Sequence, residues 1–176
     1  IHYHCRHING IDFNNLKKKE ARTGNYQCYL PTVIKKVSAS NEFLTKDWLM
    51  SQQLSSKPVK ITIPGPLTIC DTISNEFYSS TKDMVKDFAE VINVEVKRLS
   101  LVGCKYIQID EPLFARKPIE ANDYGIEQLE RCFHGIENKI EKIAHICCGY
   151  PDRLDAIDYP KAPLKSYFDI SKNIDE

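Results

Sequence analysis

The stretch that decides the fold is residues 103–112, with the sequence GCKYIQIDEP. Its central YIQI alternates as a short strand does, begins soon after Gly103, and leads directly into Asp110 and Glu111. Pro112 has no backbone N–H to donate, so that a central strand cannot continue through it. The segment therefore predicts the end of a helix, a short strand, and two carboxylates at the carboxyl end of that strand.

Outward from this segment, strand and helix patterns alternate along the chain. Strands are typified by β-branched alternation and helices by apolar residues three or four positions apart. The amino-terminal thirty residues and the tail from 152 to 176 are polar, and we expect the lysine-rich run at 17–20 to be a solvated loop or helix face. We predict strands at 29–37, 59–63, 106–110 and 142–147, and helices at 41–54, 82–102 (capped by Thr81 and ended by Gly103) and 123–139.

Short cycles of strand and helix are typical of an α/β fold with a parallel sheet. A Gly-rich phosphate fingerprint follows none of the predicted strands, which disfavours a dinucleotide-binding sheet. Polar residues gather at the carboxyl ends of the strands, where a (β/α)₈ TIM barrel of about 250 residues carries its chemistry. The chain has 176 residues and four or five predicted parallel strands. We therefore predict one domain over 1–176, a partial (β/α)₈ barrel with outer helices and an internal fragment of a larger barrel.

Composition excludes several classes of function. Lys and Arg number 24 and Asp and Glu also 24, which argues against nucleic acid or a membrane surface bound by bulk charge. No apolar run approaches the roughly 18 residues of a membrane span. Seven cysteines cannot all pair, which favours thiols in a reducing compartment, and we predict the cytoplasm. The chain begins IHYHC without Met or a signal segment, so we expect this start not to be a natural N-terminus.

The two carboxylates of the central segment have different expected directions. Successive side chains on a strand point to opposite faces, so Asp110 and Glu111 cannot both line one pocket. Asp110 is expected to face inward, because Ile107 and Ile109 have the opposite parity. The alternative is a pair of solvated loop acids with a helix-capping role.

Two histidine and cysteine patterns could suggest metal binding. His145 and Cys147 lie at i and i+2, where a strand places both on one face, and nitrogen with thiolate suits zinc. A catalytic zinc needs three protein ligands, so that coincidence remains the alternative for this pair. Cys148 has the opposite parity and is expected to be an inert core thiol. Residues 2–7, HYHCRH, also alternate, but nothing after them completes a ligand set, and we do not favour a metal there.

Three segments together resemble the C-terminal catalytic barrel of cobalamin-independent methionine synthase, the 5-methyltetrahydropteroyltriglutamate–homocysteine methyltransferase, within the uroporphyrinogen-decarboxylase-like superfamily. They are KITIPGPLTI at 60–69, GCKYIQIDEP at 103–112 and HICC at 145–148, and the likeness runs from about Tyr26 to Gly149. The resemblance implies zinc-dependent methyl transfer to a thiol, most naturally from 5-methyltetrahydrofolate to homocysteine, giving methionine.

Site residues follow from the same resemblance. Asp110 matches the residue that binds the amino group of homocysteine, and we group Glu111 with it as substrate-binding. His145 and Cys147 match the first two zinc ligands. The family's third ligand is a Glu about two dozen residues later, where this chain has Asp169, and its fourth is a late Cys. Either Asp169 substitutes, or the remaining ligands lie beyond Glu176, which we favour.

The sequence departs from the family where the methyl donor binds. Gln27 stands in place of an Arg, Thr72 in place of a Trp, and Arg116 in place of a Glu. The parts of the site that bind homocysteine and zinc are therefore expected to be kept, and the part that binds the methyl donor to be changed. The donor is expected to be methyltetrahydrofolate or another carrier, such as a corrinoid protein. The partners are otherwise small molecules.

Three alternatives remain open at this point. The first is a related barrel that acts on a different thiol, of the coenzyme M type. The second is a barrel that decarboxylates a tetrapyrrole without metal, which would not need His145 and Cys147. The third is an inactive, truncated barrel that packs against another chain.

Overall fold

The computed structural model describes residues 1–21, 26–137, 139–147 and 163–174. Its helices and strands alternate along most of the chain. In chain order they are α1 (His2–Cys5), β1 (Ile8–Ala21), β2 (Tyr26–Ala39), α2 (Leu44–Gln53), β3 (Lys60–Pro64), α3 (Pro66–Asp71), β4 (Ser74–Asn75), α4 (Thr81–Leu101), β5 (Tyr106–Asp110), α5 (Pro118–Glu120), a π-helical turn (Ala121–Gly125), α6 (Ile126–Cys132), β6 (Glu141–His145) and α7 (Leu164–Ile174).

The centre of the fold is a parallel sheet in the order β3–β5–β6. The prediction that these three strands are parallel neighbours is confirmed. Strand β6 ends at His145, two residues before the predicted end of the strand at 147. Because the three strands run in the same direction, their carboxyl ends all lie at one edge of the sheet.

The long helix α4 forms where the sequence predicts it. Its N-cap is Ser80, one residue before the predicted Thr81, and the Ser80 hydroxyl accepts a hydrogen bond from the Asp83 N–H at 3.3 Å. Gly103 follows the helix with φ of +94°, a conformation that favours glycine. The buried side of α4, including Phe88, belongs to the same core cluster as the apolar residues of β5.

The amino-terminal region was predicted to be polar, with its lysine run in a loop or on a helix face, but it forms a long strand instead. Strand β1 pairs antiparallel with β2 along a long hairpin, interrupted by two irregularities in register. The strand predicted at 29–37 forms within β2, but it contacts β4 in parallel through two register pairs only. The parallel sheet of the described residues therefore contains three strands instead of four or five. A half-exposed antiparallel sheet tolerates polar residues on one face, which is why the lysine run at 17–20 lies in β1 and not in a loop.

The other elements differ mainly at their ends. Helix α2 lies within the predicted range 41–54, whereas the helix predicted at 123–139 begins as a π-helical turn and ends at Cys132. Helix α7 was not predicted, since the tail is polar, yet Ile170 of this helix is fully buried in the core cluster. Within the described ranges, none of the helices combines the length and the apolar character needed to cross a membrane.

Candidate active site

The two faces of the parallel sheet have different surroundings. Ile107 and Ile109 point to one face and are fully buried. Asp110 has the opposite parity, as predicted, and is the register partner of His145 on the neighbouring strand. Register partners in a parallel pair point to the same face, so Asp110 and His145 project from neighbouring strands to the same face at the carboxyl edge.

Asp110 is oriented by a row of hydrogen bonds on this face. Gln108 Nε2 donates to Asp110 Oδ1 at 2.6 Å, and Gln108 Oε1 accepts a hydrogen bond from Lys60 Nζ. An ionised carboxylate has about four lone-pair positions, so Asp110 retains capacity for a charged donor such as an ammonium group. Gln108 was not predicted as a site residue, although its spacing of two residues from Asp110 places both side chains on the same face of the strand.

Glu111 has a different environment from its neighbour. Its side chain is fully buried, and its carboxylate accepts hydrogen bonds from the N–H groups of Leu67 at 2.9 Å and Thr68 at 3.0 Å and from the Thr68 hydroxyl at 2.7 Å. Burial raises the pKa of Glu111 to about 7, against the opposing effect of these hydrogen bonds. Glu111 thus binds the first turn of α3 and is not a solvated loop acid. Its substrate-binding role stays a prediction.

His145 and Cys147 are placed differently from the predicted common strand face. His145 is the last residue of β6 and is exposed, whereas Cys147 lies beyond the strand and is buried. The Tyr167 hydroxyl of α7 donates to the Cys147 carbonyl oxygen at 3.1 Å. Cys147 therefore lies outside the sheet, and its backbone is hydrogen-bonded to α7.

The donor types of this pair fit zinc, but the set is incomplete. Imidazole nitrogen and thiolate sulfur are both common zinc ligands. Across the described parts of the chain, no group of three or more His, Cys, Asp or Glu residues could hold a metal ion. Asp169 is exposed on α7 and does not form such a group with His145 and Cys147. Cys148 lies outside the described residues.

The amino-terminal histidines pack among aromatic rings. The His7 ring stacks on Phe43 with centroids 4.3 Å apart, and the His4 ring meets Phe43 edge-on at 5.8 Å. Both ring nitrogens of His4 are buried without a hydrogen-bond partner. Burial lowers the pKa of His4 to about 4, which keeps the ring neutral. These contacts are those of a packed aromatic cluster.

A family match covers nearly all of this architecture. Residues 1–159 match the family described as "Cobalamin-independent synthase, Catalytic domain". The chain belongs to this family. The resemblance noted in the sequence is therefore confirmed, and it extends over the β1–β2 hairpin as well.

Relatives and solved structures agree with the family. The chain is 36% identical over 145 residues to a methionine synthase of Sulfurisphaera tokodaii, covering 78% of this chain and 42% of the relative. It is 38% identical over 121 residues to one of Saccharolobus solfataricus, covering 68% and 35%. A B12-independent methionine synthase from Shewanella sp. W3-18-1, solved in complex with selenomethionine, superposes with a TM-score of 0.77 at 35% identity, covering 84% of this chain and 42% of that one. The predicted α/β fold is thus confirmed, and the chain spans less than half the length of these relatives.

Proposed function

We propose that the chain forms part of the catalytic barrel of a zinc-dependent methyltransferase that methylates the thiol of homocysteine to give methionine. The observation that carries the proposal is the register pairing of Asp110 with His145 on the polar face of the sheet, at its carboxyl edge. In barrels of this kind the carboxyl ends of the strands carry the chemistry. The curated relatives named methionine synthase support the same reaction class.

Asp110 is proposed to bind the ammonium group of homocysteine. A hydrogen bond between a charged donor and a carboxylate is about twice as strong as one between neutral groups. Gln108 holds one oxygen of Asp110, and Lys60 holds Gln108 in turn. The carboxylate is therefore oriented before the substrate arrives, so that less ordering is needed on binding.

His145 and Cys147 are proposed to supply two of the zinc ligands. Zinc, when bound, lowers the pKa of a coordinated thiol and so keeps it as the nucleophilic thiolate at neutral pH. The chain covers 42% of the Sulfurisphaera tokodaii relative, and we propose that the remaining ligands come from barrel residues outside this stretch. Thiol chemistry also suits the reducing cytoplasm that the cysteine content favours.

The methyl donor is proposed to be 5-methyltetrahydrofolate or another methyl carrier, including a corrinoid protein. Two of the three departures from the family's donor site are exposed, namely Gln27 on β2 and Arg116 after β5. The third, Thr72, donates its hydroxyl to the carbonyls of Thr68 and Ile69, each at 3.0 Å. A hydroxyl held against its own helix cannot provide the stacking surface of an indole ring, which supports a changed donor side.

The test replaces Asp110 with Asn in the full-length protein that contains this stretch. Loss of the charge should raise KM for homocysteine by about 10- to 100-fold, as expected for a lost charge-assisted hydrogen bond. Zinc content, measured by elemental analysis, should stay at the wild-type value because Asp110 is not a proposed ligand. Asp123→Asn, at an exposed carboxylate of the π-helical turn, is the matched control and should change neither.

Three outcomes would count against this assignment. Zinc loss in Asp110→Asn would make Asp110 a ligand instead of a substrate-binding residue. An unchanged KM for homocysteine would contradict recognition of the ammonium group. A wild-type chain that methylates coenzyme M and not homocysteine would favour the related barrel that acts on a different thiol.

A further inference from the structure

One peptide unit at the carboxyl edge connects three strands. The Gly65 N–H, directly after β3, donates to the Asp110 carbonyl at 2.8 Å, and the Glu111 N–H donates to the His145 carbonyl at 2.9 Å. The peptide between Asp110 and Glu111 therefore bonds to the end of β3 on one side and to the end of β6 on the other. The spacing of Asp110 and His145 depends on this unit.

The Glu111 side chain fixes the same unit from α3. Its three hydrogen bonds come from Leu67 and Thr68, in the first turn of the helix that begins immediately after Gly65. A Cβ atom on Gly65 would lie 2.3 Å from the Glu111 Cδ atom. The φ of Gly65 is −75°, which any residue can adopt, so glycine is needed here for space and not for backbone conformation.

We propose that Glu111 is a positioning residue, whose buried carboxylate anchors the turn after β3 and thereby holds Asp110 and His145 in their mutual geometry. Glu111 acts through these two residues, since its own side chain is fully buried and hydrogen-bonded to α3. This inference rests on the proposed function, because the geometry matters for catalysis only if Asp110 and His145 serve it.

The test is Glu111→Gln, which keeps the size of the side chain but offers only one oxygen acceptor to the N–H groups of Leu67 and Thr68. Amide hydrogen exchange is measured at Gly65 and at position 111, whose hydrogen bonds do not involve the altered side chain. We expect exchange there to accelerate at least about tenfold relative to Ile107 and Ile109. KM for homocysteine should rise by roughly tenfold or more, since displacement by about 1 Å can cost on the order of 100-fold.

Two further variants keep the test decisive. Thr68→Val removes only the hydroxyl that donates to Glu111 and should cause a smaller change in the same direction, even if Glu111→Gln folds poorly. Asn93→Ala is the matched control: Asn93 is buried and joins α4 to the end of α6 through the carbonyls of Cys132 at 3.1 Å and His134 at 2.8 Å. It should lower global stability without selectively changing exchange at Gly65 or KM.

The outcomes separate the two proposals. If the full-length wild-type protein that contains this stretch does not methylate homocysteine, the proposed function itself is wrong. If the wild type is active but Glu111→Gln keeps both its exchange rates and its KM, the positioning role is wrong. Faster exchange with an unchanged KM would also overturn it, because Glu111 would then support the fold alone.

Discussion

Two regions of this chain contain the same kinds of residue but differ in how those side chains are packed and exposed. The amino-terminal segment 2–7 combines histidines with Cys5, and the carboxyl edge of the sheet combines His145 with Cys147. In the first region the rings pack against Phe43, and His4 has no partner for either nitrogen. In the second, His145 is exposed on the polar face beside Asp110.

The difference lies in secondary structure and not in composition. Residues 2–5 form one helical turn, in which the His4 ring is half-buried against Phe43 and Cys5 is fully buried. His145 ends a parallel strand, and the carboxyl ends of such strands leave side chains exposed at one edge. A histidine at the carboxyl end of a parallel strand is therefore accessible to a ligand, whereas a histidine packed against an aromatic ring is not.

The largest expected effect concerns Cys147, one of the two proposed zinc ligands. Cys147→Ser in the full-length protein that contains this stretch should abolish zinc binding and methyl transfer, because a serine hydroxyl is a far poorer zinc ligand than a thiolate. Zinc is measured by elemental analysis and methionine by its formation from homocysteine. Cys5→Ala is the matched change in the other region and should leave zinc in place, since a buried Cys behaves as a small apolar residue. Retained zinc and activity in Cys147→Ser would contradict the assignment.

The next effect concerns Gly65, which lies against the Glu111 carboxyl at the carboxyl edge. Gly65→Ala places a Cβ where the Glu111 carboxyl lies, and it should lower the free energy of unfolding by about 2–4 kcal/mol through overpacking and disturbed hydrogen bonds. Urea unfolding measures this change. In a Glu111→Ala background the same substitution should lower the free energy of unfolding far less, because the clashing side-chain atoms of Glu111 are absent. An equal loss of unfolding free energy in both backgrounds would show that the Glu111 side chain is not the source of the destabilisation.

The smallest effect concerns the aromatic cluster and its response to pH. The folded pKa of His4, about 4, lies below the ordinary value of 6.5, so the unfolded chain binds the proton more readily. The contribution of neutral His4 to the free energy of unfolding is fully present above pH 6.5 and is lost as the pH falls toward 4. The loss at pH 5 is about 1–2 kcal/mol. His4→Phe should remove this loss and change little at pH 7. Unfolding measured at pH 7 and pH 5 checks it, and an unchanged pH dependence would exclude His4 as its source.

Local patterns determined the centre of the fold. The strands at 59–63 and 106–110, the helix α4 and its stop at Gly103 follow from alternation, helical period and glycine chemistry, all of which act between near neighbours. The parity that turns Asp110 away from Ile107 and Ile109 has the same local origin. For this reason the sequence alone predicted a parallel sheet with a polar carboxyl edge.

Other features depend on contacts between distant residues. Strand β1 is stabilised by its pairing with β2, which lies later in the chain. Helix α7 has an amphipathic pattern within a polar tail, and burial of Ile170 in the core stabilises it. The carboxylate of Glu111 finds its donors more than forty positions earlier in the chain, at Leu67 and Thr68. A buried carboxylate is tolerated only where such donors meet it. Local patterns therefore predict which chemical groups lie at the carboxyl edge and that Asp110 points to its polar face. The binding of the Glu111 carboxylate to α3 depends on the tertiary structure, because its hydrogen-bond donors come from a separate element.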